Sequence, residues 1–439
     1  MVHLGALKAV AESVERLEGL LAKLPDGLAK DLRLRIATLR SILLEQRPPA
    51  LVLVGRRGAG KSSLINAMFG ARVAEVGHVK AQTAQGTWFD YVGDFGSLSI
   101  LDTRGVQEGS RPADATDATP IDSILFELRK KPPDVILFLV KASEVDAAID
   151  ADIEALRAIL DEVERAHGHR VPVLGVATHC DLLEPKTTRL HAPEHEVVED
   201  LDEKLRHVAL VERHLDTKLR DALRSDLATT LGLSSYLSWR HDGSLRSDER
   251  WRIDALAKAL YRHLPNEGRA TLVRVARVRH LQDELADQLT KASAAVCAGF
   301  AALPIPVADV VPITAVQAGL IAGIAWIGGR ALDARAAAEF LAGIGVNVGV
   351  ALLLREAARA LIKYAFPGAG SAVSGAVAFT GTLAVGAAAR AYFLRGESMR
   401  VARRLYARTK KEPVLEGASE DELPYHNAED DAVPKVDLF

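Results

Sequence analysis

The chain has 439 residues and a formal net charge of -3, so it is too long for one hydrophobic core and lacks the basic excess of a dedicated nucleic-acid binder. Two cysteines, Cys180 and Cys297, exclude a disulfide framework or a cysteine-based zinc site and suit a reducing compartment. Aromatic residues make up only 5% of a sequence rich in small and aliphatic side chains, which favours close-packed helices over a β-sandwich.

Residues 1–48 read as a helical hairpin. Leu4, Leu7, Val10, Val14, Leu17 and Leu21 recur at helical steps, and Leu32, Ile36, Leu39 and Leu43 repeat the pattern after Pro25-Asp26-Gly27. Glu12, Glu15 and Glu18 interrupt the first stretch, so no signal peptide is expected. So short a hairpin cannot bury its apolar stripe by itself and is expected to pack on helices from elsewhere. Pro48-Pro49 then ends the second helix.

Residues 49–265 alternate between short apolar runs and helical patterns, which predicts an α/β domain with a mostly parallel sheet and helices on both faces. Strands are expected at 50–54, 87–92, 98–101, 135–140, 173–177 and 231–235, with 87–92 alternating enough to be an antiparallel edge. The helices between them include 149–165 and 197–223.

Four motifs sit at the ends of these strands. Gly55-Arg56-Arg57-Gly58-Ala59-Gly60-Lys61-Ser62, followed by Ser63, has the spacing of a phosphate-binding loop between a strand and a helix. Its glycines let backbone N–H groups turn toward phosphate oxygens, Lys61 supplies a charge, and the Ser62 hydroxyl can reach Mg2+. Asp102-Thr103-Arg104-Gly105 ends another strand; Asp102 would hold Mg2+ through water, and the Gly105 N–H would meet a γ-phosphate. Between the two, Thr83 is the loop residue expected to reach both metal and γ-phosphate, with Thr87 second. Thr178-His179-Cys180-Asp181 follows a later strand. Asp181 would accept from the N1 and N2 donors of guanine, a pair adenine cannot offer. Thr178 would brace neighbouring loops, His179 would lie along the base, and Ser234-Ser235 would offer backbone N–H groups to the guanine oxygen.

The order of these motifs resembles the translation-factor class of P-loop GTPases, and the run Ala59–Ala67 looks like their Era-like, dynamin-like and immunity-related branches. The resemblance implies GTP/GDP and Mg2+ as cofactors, GTP hydrolysis, and catalytic parts for Lys61, Thr83 and Gly105. Two departures stand out. His179 replaces the lysine usual in the base motif. Val106 occupies the place of a water-orienting glutamine, with Gln107 one residue on. Arg57, or Arg56 beside it, could act as a built-in arginine finger, as in some large membrane-linked GTPases; the alternative is that both arginines face solvent or pair with an acidic neighbour.

After a charged linking helix, 266–298, composition changes abruptly. The only charge from Gly299 to Gly329 is Asp309, and 365–389 has none. Both runs are long enough to cross a bilayer core of about 20 helical residues. Small-residue spacing at Gly319/Gly323 and Gly345/Gly349 would serve helix contact in a membrane or in an Ala-rich soluble bundle. Basic residues lie on both sides, so adhesion to anionic lipid is a further reading. The 299–411 region resembles an uncharacterised apolar domain that follows GTPase domains in bacterial proteins. Residues from both chain ends resemble the composite helical domain of immunity-related GTPases. The acidic stretch 412–439 reads as a disordered tail.

The expectation is therefore a bacterial, cytoplasmic GTP-dependent switch coupled to an all-α domain, built from the N-terminal helices and the apolar C-terminal third, that meets membrane lipid or a membrane protein at the inner membrane, peripherally or integrally. Homodimers or larger assemblies are expected of a dynamin-like variant, and a nucleotide-gated anchor or pore is the non-enzymatic alternative. A ribosome-assembly GTPase is a further reading, although no basic RNA-binding domain follows the nucleotide domain, and no nucleic-acid partner is expected.

Overall fold

The computed structural model describes residues 11, 14–15, 18–19, 26–74, 87–102, 120–146, 149–302, 310–330, 334–344 and 369–410. Six strands form one sheet: β1 (Ala50–Val54), β2 (Trp88–Gly93), β3 (Gly96–Asp102), β4 (Val135–Lys141), β5 (Val173–Thr178) and β6 (Leu227–Gly232). Their order is β2-β3-β1-β4-β5-β6, with β2 antiparallel to β3 and the other pairs parallel. The expected edge strand is thus present. The last expected strand is shifted: β6 ends at Gly232, and beyond it the Leu233 N–H donates to the Ala177 carbonyl of β5 while its carbonyl accepts from Cys180 N–H. A second sheet, the hairpin β7 (Leu237–Trp239) and β8 (Leu245–Asp248), was not expected from the sequence.

Alternation along the strands sorts the core in two. Val52 and Val54 face one layer with Ile136 and Phe138, beneath the helices Pro120–Lys130, Ile149–His167 and Val198–Leu223. Leu51 and Leu53 face the other with Leu98, Ile100 and Leu137. On that side lie α1 (Lys61–Phe69), α2 (Ile253–His263) and α3 (Asn266–Ala276), and beyond them the same core continues through Leu285, Leu289, Val316 and Val385 into the helical body. The helical body therefore grows from one face of the sheet with no break in the apolar packing.

The 266–298 segment is two helices rather than one. Arg277 adopts φ 53°, its N–H closes on the Val273 carbonyl, and the chain restarts as α4 (Arg279–Ala302). The helix Asp26–Leu43 packs against α4, as the unsatisfied stripe of the N-terminal region requires; Leu32 lies where a side chain at Gly299 would stand. Val14 is buried, and Glu18 pairs with Arg40 at 3.1 Å.

The first long apolar run, 299–329, is divided between the end of α4 and α5 (Val310–Ile327). Among the described residues one helix, α6 (Ala369–Phe393), holds a window long and apolar enough to cross a membrane, Gly375–Phe393. Its Arg390 donates to Asp287 at 2.7 Å and pairs with Asp283 at 3.3 Å, both on α4. Gly323 of α5 abuts Leu43 and Leu289, so this small residue serves contact between N-terminal and C-terminal helices. Gly345 and Gly349 lie outside the described residues.

Candidate nucleotide site

The phosphate loop leaves β1 between β3 and β4. A Cβ at Gly55 would collide with the Leu139 carbonyl, which explains why the loop can run so close to β4. Gly60 has φ 85° and caps the start of α1, so the first N–H groups of that helix open toward the loop. The Lys61 side chain is buried and its ammonium donates to the carbonyls of Gly55 and Arg56, the second at 3.0 Å. Ser62 and Ser63 occupy the first turn of α1 and are half-buried. Asp102 ends β3 in register with Leu53, one residue before the β1 terminus, which places its backbone beside the phosphate loop. Together these features fit a phosphate cradle.

The two loop arginines differ. Arg56 donates to Asp152 on the Ile149–His167 helix at 2.8 Å, and the Asp152 side chain is nearly buried. That is the acidic-neighbour alternative for Arg56. Arg57 is exposed. Lys141, at the end of β4, pairs with Glu144 at 3.0 Å, and its ammonium lies against Gly58.

Thr178 connects this loop to the base motif. Its buried hydroxyl donates to the Ala59 carbonyl at 3.0 Å, with the Val140 carbonyl at 3.3 Å. With that proton committed, Nδ1 of His179, 2.9 Å away, is the donor to the Thr178 oxygen, which fixes the tautomer. His179 has φ 58° and places its ring beside Gly60. Burial holds its pKa below the ordinary histidine value, aided by Lys141 and opposed by Asp181 and Glu144, so the ring is neutral at pH 7. Burial likewise pushes the Cys180 thiol up to about 12, leaving it inert.

Asp181 follows within a short helical turn, Cys180–Leu182, and is half-buried. Ser234 and Ser235 are buried, and the residue before them is tied to the base motif, where Cys180 N–H donates to the Leu233 carbonyl at 3.2 Å. One expectation needs correction. The Ser234 N–H donates to the Trp251 carbonyl at 3.1 Å, so the backbone donor for a base oxygen falls to Ser235. Thr83 and Gly105 lie outside the described residues, as do Val106 and Gln107; Thr87 is exposed just before β2.

Lys204 and Glu212 belong to none of the motifs, and Asn66 lies in the Ala59–Ala67 run with no role of its own assigned there. Lys204 sits on the apolar stripe of the Val198–Leu223 helix with Val208, Leu215 and Leu219, and a lysine at such a position was the available signal. Glu212, on the same helix, accepts from Gly232 N–H and from Arg252, both at 2.6 Å. Asn66 holds the start of the Thr83 segment: its amide bonds Val73 and Ala74. No motif marks Glu212.

Residues 50–177 match the family described as 50S ribosome-binding GTPase. The chain carries a P-loop GTPase domain. Relatives of this chain include the tRNA modification GTPase MnmE of Bordetella avium, 31% identical over 158 residues, covering 36% of this chain and 32% of the relative. The uncharacterised protein YkfA of Escherichia coli is 29% identical over 177 residues, covering 40% and 55%. The chain thus spans between about a third and about half the length of these curated relatives. Among solved structures, Toc33 of Arabidopsis thaliana in complex with Mg2+ and GMPPNP is similar over 55% of this chain and 93% of its own, at 16% identity and a TM-score of 0.34.

Proposed function

We propose that this protein binds GTP and GDP with Mg2+ and hydrolyses GTP, and that the reaction acts as a switch on the helical body. The observation that carries the reading is the Thr178 hydroxyl: it ties the base motif to the phosphate loop, so that Lys61 and Asp181 serve one nucleotide. Mg2+, held by Ser62 and Thr83 and through water by Asp102, would neutralise charge between the β and γ phosphates. Lys61 would exchange its two loop carbonyls for phosphate oxygens, and the α1 N–H groups would add their partial charge. Asp181 would accept from guanine, and the neutral His179 ring would pack along the base. Arg56 is engaged by Asp152, and Arg57, exposed in the same loop, is the candidate finger; Thr83 and Gly105 would complete the γ-phosphate contacts. Competition binding tests the reading: GDP should displace a fluorescent guanine nucleotide while ADP does not, and Asp181→Asn should shift preference toward xanthine nucleotides. Equal binding of ADP and GDP would refute it.

The route to the helical body is the β2–β3 hairpin. Both of its strands lead from the segments that hold Thr83 and Gly105, and its tip packs on the helices. The Arg277 guanidinium lies 4.4 Å over the Phe95 ring, and Gly329 abuts the same ring. A shift of β3 at Asp102 is thereby felt at the α3–α4 joint.

A membrane role rests on the helix Met399–Thr409, which exposes Arg400, Arg403, Arg404 and Arg408 and carries no acidic residue. Such a face suits peripheral adhesion to anionic lipid at the inner membrane. Flotation with anionic liposomes in GTP, GDP and no nucleotide tests it; absence of binding in all three states removes this part. Turnover that rises with protein concentration would point to dynamin-like assembly, whereas function kept by a variant that binds but cannot hydrolyse GTP would favour a nucleotide-gated anchor.

A further inference from the structure

We propose that Lys204 is a positioning residue for guanine recognition, holding the loop 181–188 so that Asp181 is set for the base before any nucleotide arrives. The inference rests on the guanine-nucleotide reading above. Lys204 is fully buried, yet each of its three ammonium protons has a carbonyl partner: Asp181 at 2.6 Å, Thr188 at 2.7 Å and Pro185 at 3.1 Å. The three acceptors come from the beginning, middle and end of one loop, and charge-assisted bonds this short are the stronger kind. His207, one turn further along the same helix, bonds the Glu184 carbonyl at 2.7 Å. Asp181 itself is thus fixed through its own backbone, and not merely through a neighbour.

The chemistry explains why a lysine stands on an apolar stripe. A loop of this length has little regular structure and would otherwise be ordered by the nucleotide, at a cost in affinity. A buried cation that gathers its carbonyls removes most of that cost in advance. Burial draws the Lys204 pKa below the ordinary lysine value, while Asp181, Glu184 and Glu196 pull it back, so the ammonium form is held by its acceptors.

The test compares GDP with IDP, which lacks the 2-amino group that Asp181 would read. The wild-type protein should prefer GDP by roughly 10–100-fold, as one hydrogen bond to a carboxylate allows. In Lys204→Met that ratio should shrink to within about threefold, with GDP losing much more affinity than IDP. Parallel losses for both nucleotides, or an unchanged ratio, would overturn the proposal, because a purely structural lysine would not single out the 2-amino group. If Lys204→Met does not fold, Lys204→Gln, which keeps two donors, is read on the same ratio. A wild-type protein that binds GDP and IDP equally would instead remove the guanine reading, and this inference with it.

Discussion

Thr178→Val is the most direct perturbation of the candidate site. Valine matches threonine in shape, so no cavity opens, and the change isolates the hydroxyl. Its removal leaves the Ala59 carbonyl without the 3.0 Å donor and His179 Nδ1 without the 2.9 Å acceptor. Ala59 is buried, so its orphaned carbonyl carries a desolvation cost; His179 is half-buried and can turn to water. Together these place the effect near the low end of the range for unsatisfied buried groups, about 1–2 kcal/mol. If the loss falls on the alignment of the two loops, GDP affinity drops by roughly 5–30-fold. Fluorescent-nucleotide titration measures the affinity, and thermal melting without nucleotide measures the cost to the fold. An affinity within about twofold of wild type, together with an unchanged Tm, would refute the argument that this hydroxyl aligns the loops.

Gly60→Ala should abolish nucleotide binding, because a Cβ there would stand 3.1 Å from the His179 ring on a backbone with φ 85°; retained GDP binding would show that the loop can relax. Because burial lowers the folded-state pKa of His179, and also of His263, the unfolded chain binds more protons as pH falls. The associated stability is fully present above about pH 6.5 and is lost as pH drops through the lower folded values. His179→Gln should therefore flatten part of the acid-side decline in Tm, and an unaltered Tm–pH curve would contradict this. Phe95→Ala should leave GDP affinity intact but remove the GTP-dependent change in hydrogen exchange of α3 and α4; a preserved difference would exclude the hairpin as the coupling route. Arg390→Met removes the cation shared by Asp283 and Asp287, but Arg395 stays 3.4 Å from Asp283 and Lys291 2.9 Å from Asp287, so the loss should be about 1 kcal/mol, at the upper end for exposed pairs. Denaturant melts would reveal it, and no loss would mean the pairs are solvent-screened.

The nucleotide domain was largely legible because its signals are local. β1 is a five-residue apolar run whose covered faces demand that composition, and the phosphate loop needs glycine where the backbone turns left-handed. The helical body was less legible. The 299–329 run carries one charge, yet Pro304, Pro306 and Pro312 interrupt it and it is shared between two helices; α6 meets α4 through an arginine that hydropathy alone would treat as a flank. Likewise β6 begins earlier than its apolar run suggests, because Leu227, Thr229 and Thr230 pair with Val173, Leu174 and Gly175 of β5 although the threonines break the apolar pattern.

From the sequence alone one could determine the strand–loop–helix that holds phosphates, the strand ends that carry Asp102 and Asp181, and the apolar stripes that had to be covered. Each depends on residues within a few positions of one another, where backbone sterics and periodicity act directly. The tertiary structure decided which partner each charged group took. Arg56 found Asp152, 96 residues away; Lys204 closed on a loop at distances of 16 to 23 residues; Phe95 at the β2–β3 turn met Arg277 at the α3–α4 joint. Such pairings are selected by the free energy of burying charge and aromatic surface in one assembled core, and no local pattern along the chain encodes that.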